Sequence, residues 1–242
     1  MKFDTVLFDL GGTLIIYENK HTWRELAFLG CERASPFVEE VAGIPISADN
    51  LASRLLEIID SALKAHGEDL AEIRIYDLVT EALLSFGATI TNGLPAKFVE
   101  IYYRPTTEQI VPEPGARELL MKLKKRGIKI GLVSNSIFPA SFHRAEMETF
   151  GMLEFFDFTI FSSEFGVRKP KNEIYQKALE LAGSEPQRSV FVGDSMLEDV
   201  IGPRALGIAA ILKYVDGRDY SFDAVPPETI RKLAQLEGIL LE

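Results

Sequence analysis

The pattern of apolar and polar residues divides the chain into three parts. A short apolar run, Val6-Leu7-Phe8, ends at Asp9 and is followed by Gly11-Gly12, a pattern typical of a buried strand that opens into a tight loop. From Tyr17 to about Ile110, apolar residues recur at helical spacing instead. After Pro112, amphipathic helices alternate with short apolar strands. This alternation predicts a parallel sheet with helices on both of its faces.

The helical part predicts a small bundle. Ser35-Pro36 has the form of an N-cap followed by proline at the first helical position, so we expect a helix to begin there. Asp49 is expected to cap the next amphipathic run, and a further helix is predicted from Tyr76 to Phe86, ending at Gly87. Apolar stripes of this kind are most often plain core, so they carry no predicted chemistry.

The alternating part predicts the rest of the sheet. Its strands are predicted at Ile128 to Val133, Phe158 to Phe161, Ser189 to Val192 and Ile208 to Leu212, with helices at Gly115 to Arg126, Ala140 to Phe150, Lys171 to Ala182 and Met196 to Leu206. The predicted fold class is therefore α/β, with a core formed by residues 1–16 and 111–242. Residues 17–110 are predicted to be a helical insertion after the first strand.

Composition narrows the possible partners. A net charge of −10 disfavours nucleic acid or an anionic membrane as the main partner. The single cysteine, Cys31, excludes an internal disulfide and is predicted to be a small core residue. Acidic residues interrupt the apolar amino terminus, and no apolar run has the length of a bilayer, so we expect a cytoplasmic protein. The sequence does not determine the oligomeric state.

Polar residues of different chemistry follow the predicted strands. Asp9, Ser134-Asn135 and Asp194 each come directly after a strand, Asp199 lies five residues beyond Asp194, and Lys169 precedes a helix. Paired carboxylates suit Mg²⁺, while a hydroxyl, an amide and a lysine are donors for a phosphoryl group. Each element alone has a structural explanation, as turn, solvated loop charge or helix-start carboxylate. Together they predict phosphoryl transfer in which Asp9 attacks phosphorus.

These motifs resemble those of the haloacid dehalogenase superfamily of phosphotransferases. The four motifs are Asp9-Leu10-Gly11-Gly12-Thr13, Ser134-Asn135, Lys169 within Arg168-Lys169-Pro170, and Gly193-Asp194-Ser195-Met196-Leu197-Glu198-Asp199. The resemblance implies a Rossmann-like sheet with the first strand central and the strand of Asp194 beside it. It also implies that the insertion, residues 17–110, is a cap that closes over the site.

The resemblance also implies a role for each motif residue. Asp9 would be the nucleophile and a Mg²⁺ ligand, and the Gly11 carbonyl and Asp194 would be further metal ligands. Thr13 and Asp199 would support the site without contacting the metal. The phosphoryl oxygens would be held by Ser134, the Asn135 backbone and Lys169. The implied activity is a Mg²⁺-dependent phosphatase that acts on a small phosphorylated metabolite through an aspartyl-phosphate on Asp9.

The chain departs from the family pattern at Gly11. Family phosphatases usually carry an aspartate there as general acid, and losing one costs about 10²–10⁴ in rate. The glycine leaves two alternatives open: a phosphonatase-like C–P hydrolase with a cap lysine such as Lys20 or Lys64 as Schiff base, or a catalytically quiet phosphate- and metal-binding regulator. The dehalogenases need no metal and are disfavoured, because the chain keeps Asp194 and Asp199.

Overall fold

The computed structural model describes residues 3–65, 70–221 and 228–241. They form two compact units. The core unit comprises the described residues within Met1–Ile16, Asp69–Glu72 and Val111–Glu242, and the helical unit comprises those within Tyr17–Glu68 and Ile73–Ile110. None of the described helices is long and apolar enough to cross a bilayer.

The core unit is built on a six-stranded sheet. The strands of the chain are β1 (Thr5–Phe8), β2 (Ile15–Ile16), β3 (Val111–Pro112), β4 (Lys129–Ser134), β5 (Phe158–Phe161), β6 (Ser189–Gly193), β7 (Ala209–Lys213) and β8 (Glu228–Ile230). The large sheet has the order β5-β4-β1-β6-β7-β8, and every pairing in it is parallel. Strands β2 and β3 form a separate antiparallel pair.

Strand β1 lies at the centre of the sheet, as predicted. Val6 pairs with Ile130 on β4 and with Val190 on β6, and all four residues of β1 are buried. A strand covered on both faces is apolar at consecutive positions, because neither face meets water. This arrangement confirms the predicted α/β fold. It also brings the carboxyl ends of β1, β4 and β6 to one edge of the sheet.

The described part of the helical unit contains four helices: α1 (Trp23–Ala42), α2 (Ala48–Lys64), α3 (Ile75–Ser85) and α4 (Leu94–Gln109). Their apolar stripes form its core. Cys31 belongs to that core: it is fully buried, and burial raises the pKa of its thiol to about 12. A thiol with such a pKa stays protonated at neutral pH, so Cys31 is a packing residue.

The prediction that a helix begins at Ser35-Pro36 is wrong. Helix α1 begins after Thr22, whose hydroxyl accepts from the Glu25 N–H while the Glu25 carboxylate accepts from the Thr22 N–H. This capping box fixes the helix start several turns before Pro36. Pro36 lies inside α1. Asp49 is not a cap either, because the Ser47 hydroxyl caps α2.

Gln109, the last residue of α4, is hydrogen-bonded to the segment that precedes α1. Its side chain is buried, donates to the carbonyls of Tyr17 and His21, and accepts from the His21 N–H at 2.8 Å. We expect Gln109→Ala to lower the free energy of unfolding by about 1–3 kcal/mol, because it removes these hydrogen bonds between the buried side chain and the loop before α1. Urea unfolding measures this, with the exposed Gln176→Ala as control. Equal stability of the two variants would contradict it.

The helices of the core unit follow its strands. They are α5 (Ala116–Lys125), α6 (Ala140–Thr149), α7 (Ser162–Phe165), α8 (Asn172–Ala182), α9 (Gly202–Ala205) and α10 (Leu236–Leu240). A wider π-type turn at Met196–Ile201 leads directly into α9. Together these two segments correspond to the single helix predicted from Met196 to Leu206.

A short segment inside the predicted insertion belongs to the core unit. Residues 70–72 run beside the loop that precedes Lys169: Ala71 is bridged to Val167, and the Arg168 N–H donates to the Leu70 carbonyl at 3.0 Å. The Arg168 guanidinium also pairs with the buried carboxylate of Glu72 at 2.7 Å. The lysine loop is therefore held on one side by this segment.

Candidate active site

Asp9 lies at the carboxyl end of the central strand. Its N–H donates to the Val192 carbonyl at 2.9 Å, which continues the pairing of β1 with β6 beyond the strand. The loop that follows turns at Gly12, whose φ of +71° is unfavourable for residues with a side chain. The Gly12 carbonyl accepts from the buried Lys213 ammonium at 2.9 Å, and Lys213 pairs with Glu113 at 3.1 Å. The loop backbone beside Asp9 is thus anchored by a buried ion pair.

Lys169 lies between two carboxylates. Its Nζ is 2.8 Å from Oδ1 of Asp9 and 2.6 Å from Oδ1 of Asp199, and the residue is 1% exposed. Burial by itself would lower the pKa of Lys169, but the charges of Asp199 and Asp9 outweigh it and raise that pKa above its usual range. Lys169 is therefore a fixed positive charge inside the site.

Both carboxylate oxygens of Asp199 accept hydrogen bonds from neighbouring groups. Oδ1 accepts from Lys169, and Oδ2 accepts from the Ser195 N–H at 2.9 Å. Burial raises the pKa of Asp199. A Cβ at Gly193 would lie 2.3 Å from the Asp199 carboxyl carbon, so this approach requires glycine. Both oxygens of Asp199 are committed to protein groups, which suits a residue that supports Lys169.

Asp194 faces Asp9 and Arg218. An Nη2 of Arg218 lies 2.7 Å from Oδ2 of Asp194, and the Arg218 side chain is half exposed. Burial and then the charge of Asp9 raise the pKa of Asp194, while Arg218 opposes the shift. The carboxylates of Asp9 and Asp194 therefore repel each other, and a nearby cation would stabilise them both.

The carboxylates of Asp9, Asp194 and Asp199 form a cluster whose ligand atoms all lie within 4.8 Å of one another. Lys169 and Arg218 contribute two positive charges against three negative ones. Hard cations such as Mg²⁺ bind carboxylate oxygens and complete their shell with water and phosphate. The donor set and the residual negative charge of the cluster fit such an ion.

Ser134 is the last residue of β4, and Asn135 follows it at the same edge of the sheet. Ser134 is buried, and the Asn135 side chain contacts the main chain of Lys169 twice: Oδ1 accepts from the Lys169 N–H at 2.8 Å, and Nδ2 donates to the Lys169 carbonyl at 3.0 Å. The motif after β4 and the lysine loop are therefore one hydrogen-bonded structure. The sequence predicted a role for the Asn135 backbone but did not predict these contacts of its side chain.

Gly11 and Thr13 flank Gly12 in the loop after Asp9. Gly11 is partly exposed and forms an isolated bridge with Ile15. Thr13 is fully buried, and its hydroxyl has no hydrogen-bond partner among the described residues. The predicted metal ligand Gly11 and the predicted supporting residue Thr13 thus lie in the same tight loop as the nucleophile candidate.

Sequence reasoning missed three contributors: Arg218 on Asp194, the Lys213 and Glu113 pair beneath the loop, and Arg168 on Glu72. Lys213 directly follows the apolar run Ile208 to Leu212, which is an available signal for a buried, paired charge. Arg218 lies in a polar loop and gives no such signal. Lys20 and Lys64, the predicted Schiff-base candidates, are exposed.

Comparison with known proteins identifies the family of the chain. A profile of the haloacid dehalogenase-like hydrolase family matches residues 3–207. Pyrimidine 5'-nucleotidase YjjG from Escherichia coli (strain K12) is 32% identical over 151 residues, which are 62% of this chain and 65% of that protein. A glyceraldehyde 3-phosphate phosphatase from Methanopyrus kandleri is 27% identical over 241 residues, 98% of this chain and 97% of that protein.

Solved structures show the same fold over the whole chain. A HAD phosphatase from Thermococcus onnurineus has a TM-score of 0.69 at 25% identity and covers 98% of both chains. A 2-haloacid dehalogenase from Pseudomonas syringae has a TM-score of 0.72 at 23% identity, covers 99% of this chain and 98% of its own, and supports the fold alone. With the family profile spanning most of the chain, the protein belongs to the haloacid dehalogenase-like hydrolase family.

Proposed function

We propose that this hydrolase is a Mg²⁺-dependent phosphatase that acts on a small phosphorylated metabolite. The observation that carries the proposal is the placement of Lys169 between Asp9 and Asp199, with Asp194 in the same carboxylate cluster. One strand end thus holds Asp9, the neighbouring strand end holds the buried Ser134, and the Lys169 ammonium contacts the Asp9 carboxylate. Relatives named as a nucleotidase and as sugar-phosphate phosphatases support a phosphate ester as the substrate class.

The first half of the reaction forms an aspartyl-phosphate. A carboxylate oxygen of Asp9 forms a bond to phosphorus, and the bond from phosphorus to the ester oxygen breaks with its electron pair staying on that oxygen. Lys169, Ser134 and the Asn135 backbone hold the phosphoryl oxygens. Lys169 is already charged and buried before substrate arrives, so it needs little reorganisation to stabilise the charge that develops there.

The second half restores Asp9. A water molecule attacks phosphorus and the acyl phosphate bond breaks, which releases inorganic phosphate and the free carboxylate. Asp9 and Asp194, with the Gly11 carbonyl, are the proposed holders of Mg²⁺, and Asp199 and Thr13 support the site. When bound, the ion supplies positive charge that offsets the repulsion between the Asp9 carboxylate and the phosphoryl group.

The test of this function is a screen of phosphorylated metabolites with the wild-type protein, with Mg²⁺ and with EDTA. We expect release of inorganic phosphate that depends on Mg²⁺. Phosphonates in the same screen test C–P cleavage, for which the exposed Lys20 and Lys64 provide no buried amine. Binding of phosphate without any turnover would instead identify a regulatory protein.

Gly11 predicts a dependence on the leaving group. Without a carboxyl group at this position, the leaving oxygen lacks a proton donor, so p-nitrophenyl phosphate should be hydrolysed far faster than an alkyl phosphate. Gly11→Asp should raise the alkyl phosphate rate selectively, by about tenfold or more. Gly11→Asn is the matched control, because the amide has the same shape but is a poor acid. Equal rates for folded Gly11→Asp and Gly11→Asn would show that the acid comes from elsewhere.

The contact between Arg218 and Asp194 predicts that Arg218 competes with the metal ion for this carboxylate. Its guanidinium neutralises Asp194 at 2.7 Å, so a cation must share or displace that contact. We expect Arg218→Ala to bind Mg²⁺ about tenfold more tightly and Asp194→Asn to bind it more weakly, measured by calorimetry without substrate. Arg231→Ala, which removes an exposed guanidinium lying over Tyr214, is the control. Unchanged Mg²⁺ affinity in both site variants would place the ion elsewhere.

A further inference from the structure

A second cluster of polar side chains, formed by the partly buried Ser136 with the buried His143 and Glu146, lies directly after the phosphate-binding motif of β4. Oγ of Ser136 is 2.6 Å from Nε2 of His143, and Nδ1 of His143 is 3.1 Å from Oε2 of Glu146. His143 and Glu146 are 5% and 4% exposed and are three residues apart on α6. The reaction described above does not use any of these three side chains.

The imidazole is fixed by packing as well as by hydrogen bonds. The ring of His143 stacks on the ring of Phe161, with centroids 5.3 Å apart and planes 23° apart. Phe161 is the last residue of β5 and is itself buried. The ring is therefore held between α6 and the end of the neighbouring strand, so its nitrogens point in fixed directions.

The contacts of Ser136 indicate where the protons lie. Its Oγ accepts from the Phe138 N–H at 3.0 Å, and its own hydroxyl proton has Nε2 of His143 as the short-range acceptor, at 2.6 Å against 3.4 Å for the Phe138 carbonyl. An Nε2 that accepts belongs to a neutral ring with its proton on Nδ1. That Nδ1–H donates to the Glu146 carboxylate.

The order serine, histidine, carboxylate is also that of a hydrolytic triad, but the backbone does not fit one. The N–H of a catalytic serine commonly helps to bind the developing oxyanion. Here the Ser136 N–H donates to Oγ of the fully buried Ser162 at 2.8 Å. Both the hydroxyl and the N–H of Ser136 are thus committed to holding the loop.

We propose that Ser136, His143 and Glu146 are positioning residues that hold the loop of Ser134 and Asn135 in its phosphate-binding shape. The proposal rests on the proposed function, because it assigns a phosphoryl group to that loop. Asn135 connects the same loop to the Lys169 main chain through two hydrogen bonds, so a shift of the loop also displaces the ammonium. The chain of contacts runs from Glu146 through His143 and Ser136 to the phosphate site.

The first test needs no substrate. The chain has three histidines, so ¹⁵N-histidine spectra can be assigned by comparison with a His143→Gln variant. We expect Nδ1 of His143 to carry a proton and Nε2 to act as an acceptor, whereas solvated histidines favour the other tautomer. A proton found on Nε2 instead would contradict this order of hydrogen bonds and overturn the positioning role.

The second test separates positioning from general stability. We expect His143→Ala to raise both KM for p-nitrophenyl phosphate and Ki for inorganic phosphate about tenfold, and to lower kcat/KM about 10–100-fold, because a small displacement at the site costs this much. Ser136→Ala should change KM, Ki and kcat/KM in the same way. Ser136→Thr keeps the hydroxyl, so its KM, Ki and kcat/KM should stay close to those of the wild type. Met147→Ala, a buried substitution on the same helix, is the control that lowers the melting temperature without changing Ki.

The outcomes distinguish this proposal from the proposed function. If the wild type turns over phosphate esters but His143→Ala and Met147→Ala have the same KM and Ki, only the positioning role is overturned. A wild type that neither binds phosphate nor hydrolyses phosphate esters overturns the proposed function and, with it, the role of the loop. Covalent labelling of Ser136 by a fluorophosphonate would show a nucleophile and also overturn the positioning role.

Discussion

Asp9→Asn is expected to reduce kcat for phosphate ester hydrolysis by about 10⁴-fold or more while the protein stays folded. The amide keeps the shape of the carboxylate but is not a nucleophile and is a poor ligand for Mg²⁺. Lys169 keeps Asp199 at 2.6 Å, so its charge stays paired in the variant. Removal of the Asp9 charge also relieves its repulsion with Asp194. The melting temperature of the metal-free variant should therefore equal or exceed that of the wild type.

Asp4→Asn is the matched control for this prediction. Asp4 precedes the same strand, but its carboxylate is only partly buried and pairs with Arg188 outside the site. The control should retain wild-type turnover. Near wild-type activity in Asp9→Asn, once conversion of the new asparagine back to aspartate is excluded by mass spectrometry, would rule out Asp9 as the nucleophile.

Lys169→Met is the other substitution with a large expected effect. It removes the ammonium that lies within 2.8 Å of Asp9 and 2.6 Å of Asp199, and leaves buried carboxylates without their partner. We expect kcat/KM to fall about 10²–10⁴-fold, because a preorganised charge near the phosphoryl oxygens is lost. The free energy of unfolding should fall by about 3–5 kcal/mol, as for other broken buried ion pairs.

A double variant separates these two effects. Lys169→Met with Asp199→Asn removes one charge of each sign, so much of the lost stability should return while activity stays low. Lys177→Met, at a partly exposed lysine of α8 outside the site, controls for the substitution itself. Activity that returns together with stability in the double variant would mean that Lys169 only maintains the fold.

The core sheet was predictable because its strands are buried on both faces. Strand β5 was predicted at its observed bounds, and β4, β6 and β7 within one residue at either end. The short strand β8 was missed, since three residues are too few to establish an alternation. The start of α1 was misplaced because Ser35-Pro36 satisfies the local rule for a helix start, whereas the stronger capping box lies at Thr22.

The candidate site was predictable where its residues follow strands. Parallel strands bring their carboxyl ends to one edge, so Asp9, Ser134 and Asp194 could be placed together from order alone. Arg218 could not, because its position depends on the path of a loop after β7 rather than on any periodic pattern. The segment 70–72 was missed for the same reason: its pairing with Val167 joins residues far apart in sequence.

The most direct test of the account is to identify the phosphorylated residue during turnover. Wild-type protein is mixed with substrate and Mg²⁺, quenched in acid within the first turnover, digested and examined by mass spectrometry. The account predicts a phosphoryl group on the peptide that contains Asp9, absent from Asp9→Asn and lost when the quenched protein is treated with hydroxylamine. Turnover with no phosphorylated peptide, or with the phosphoryl group on another residue, would contradict it.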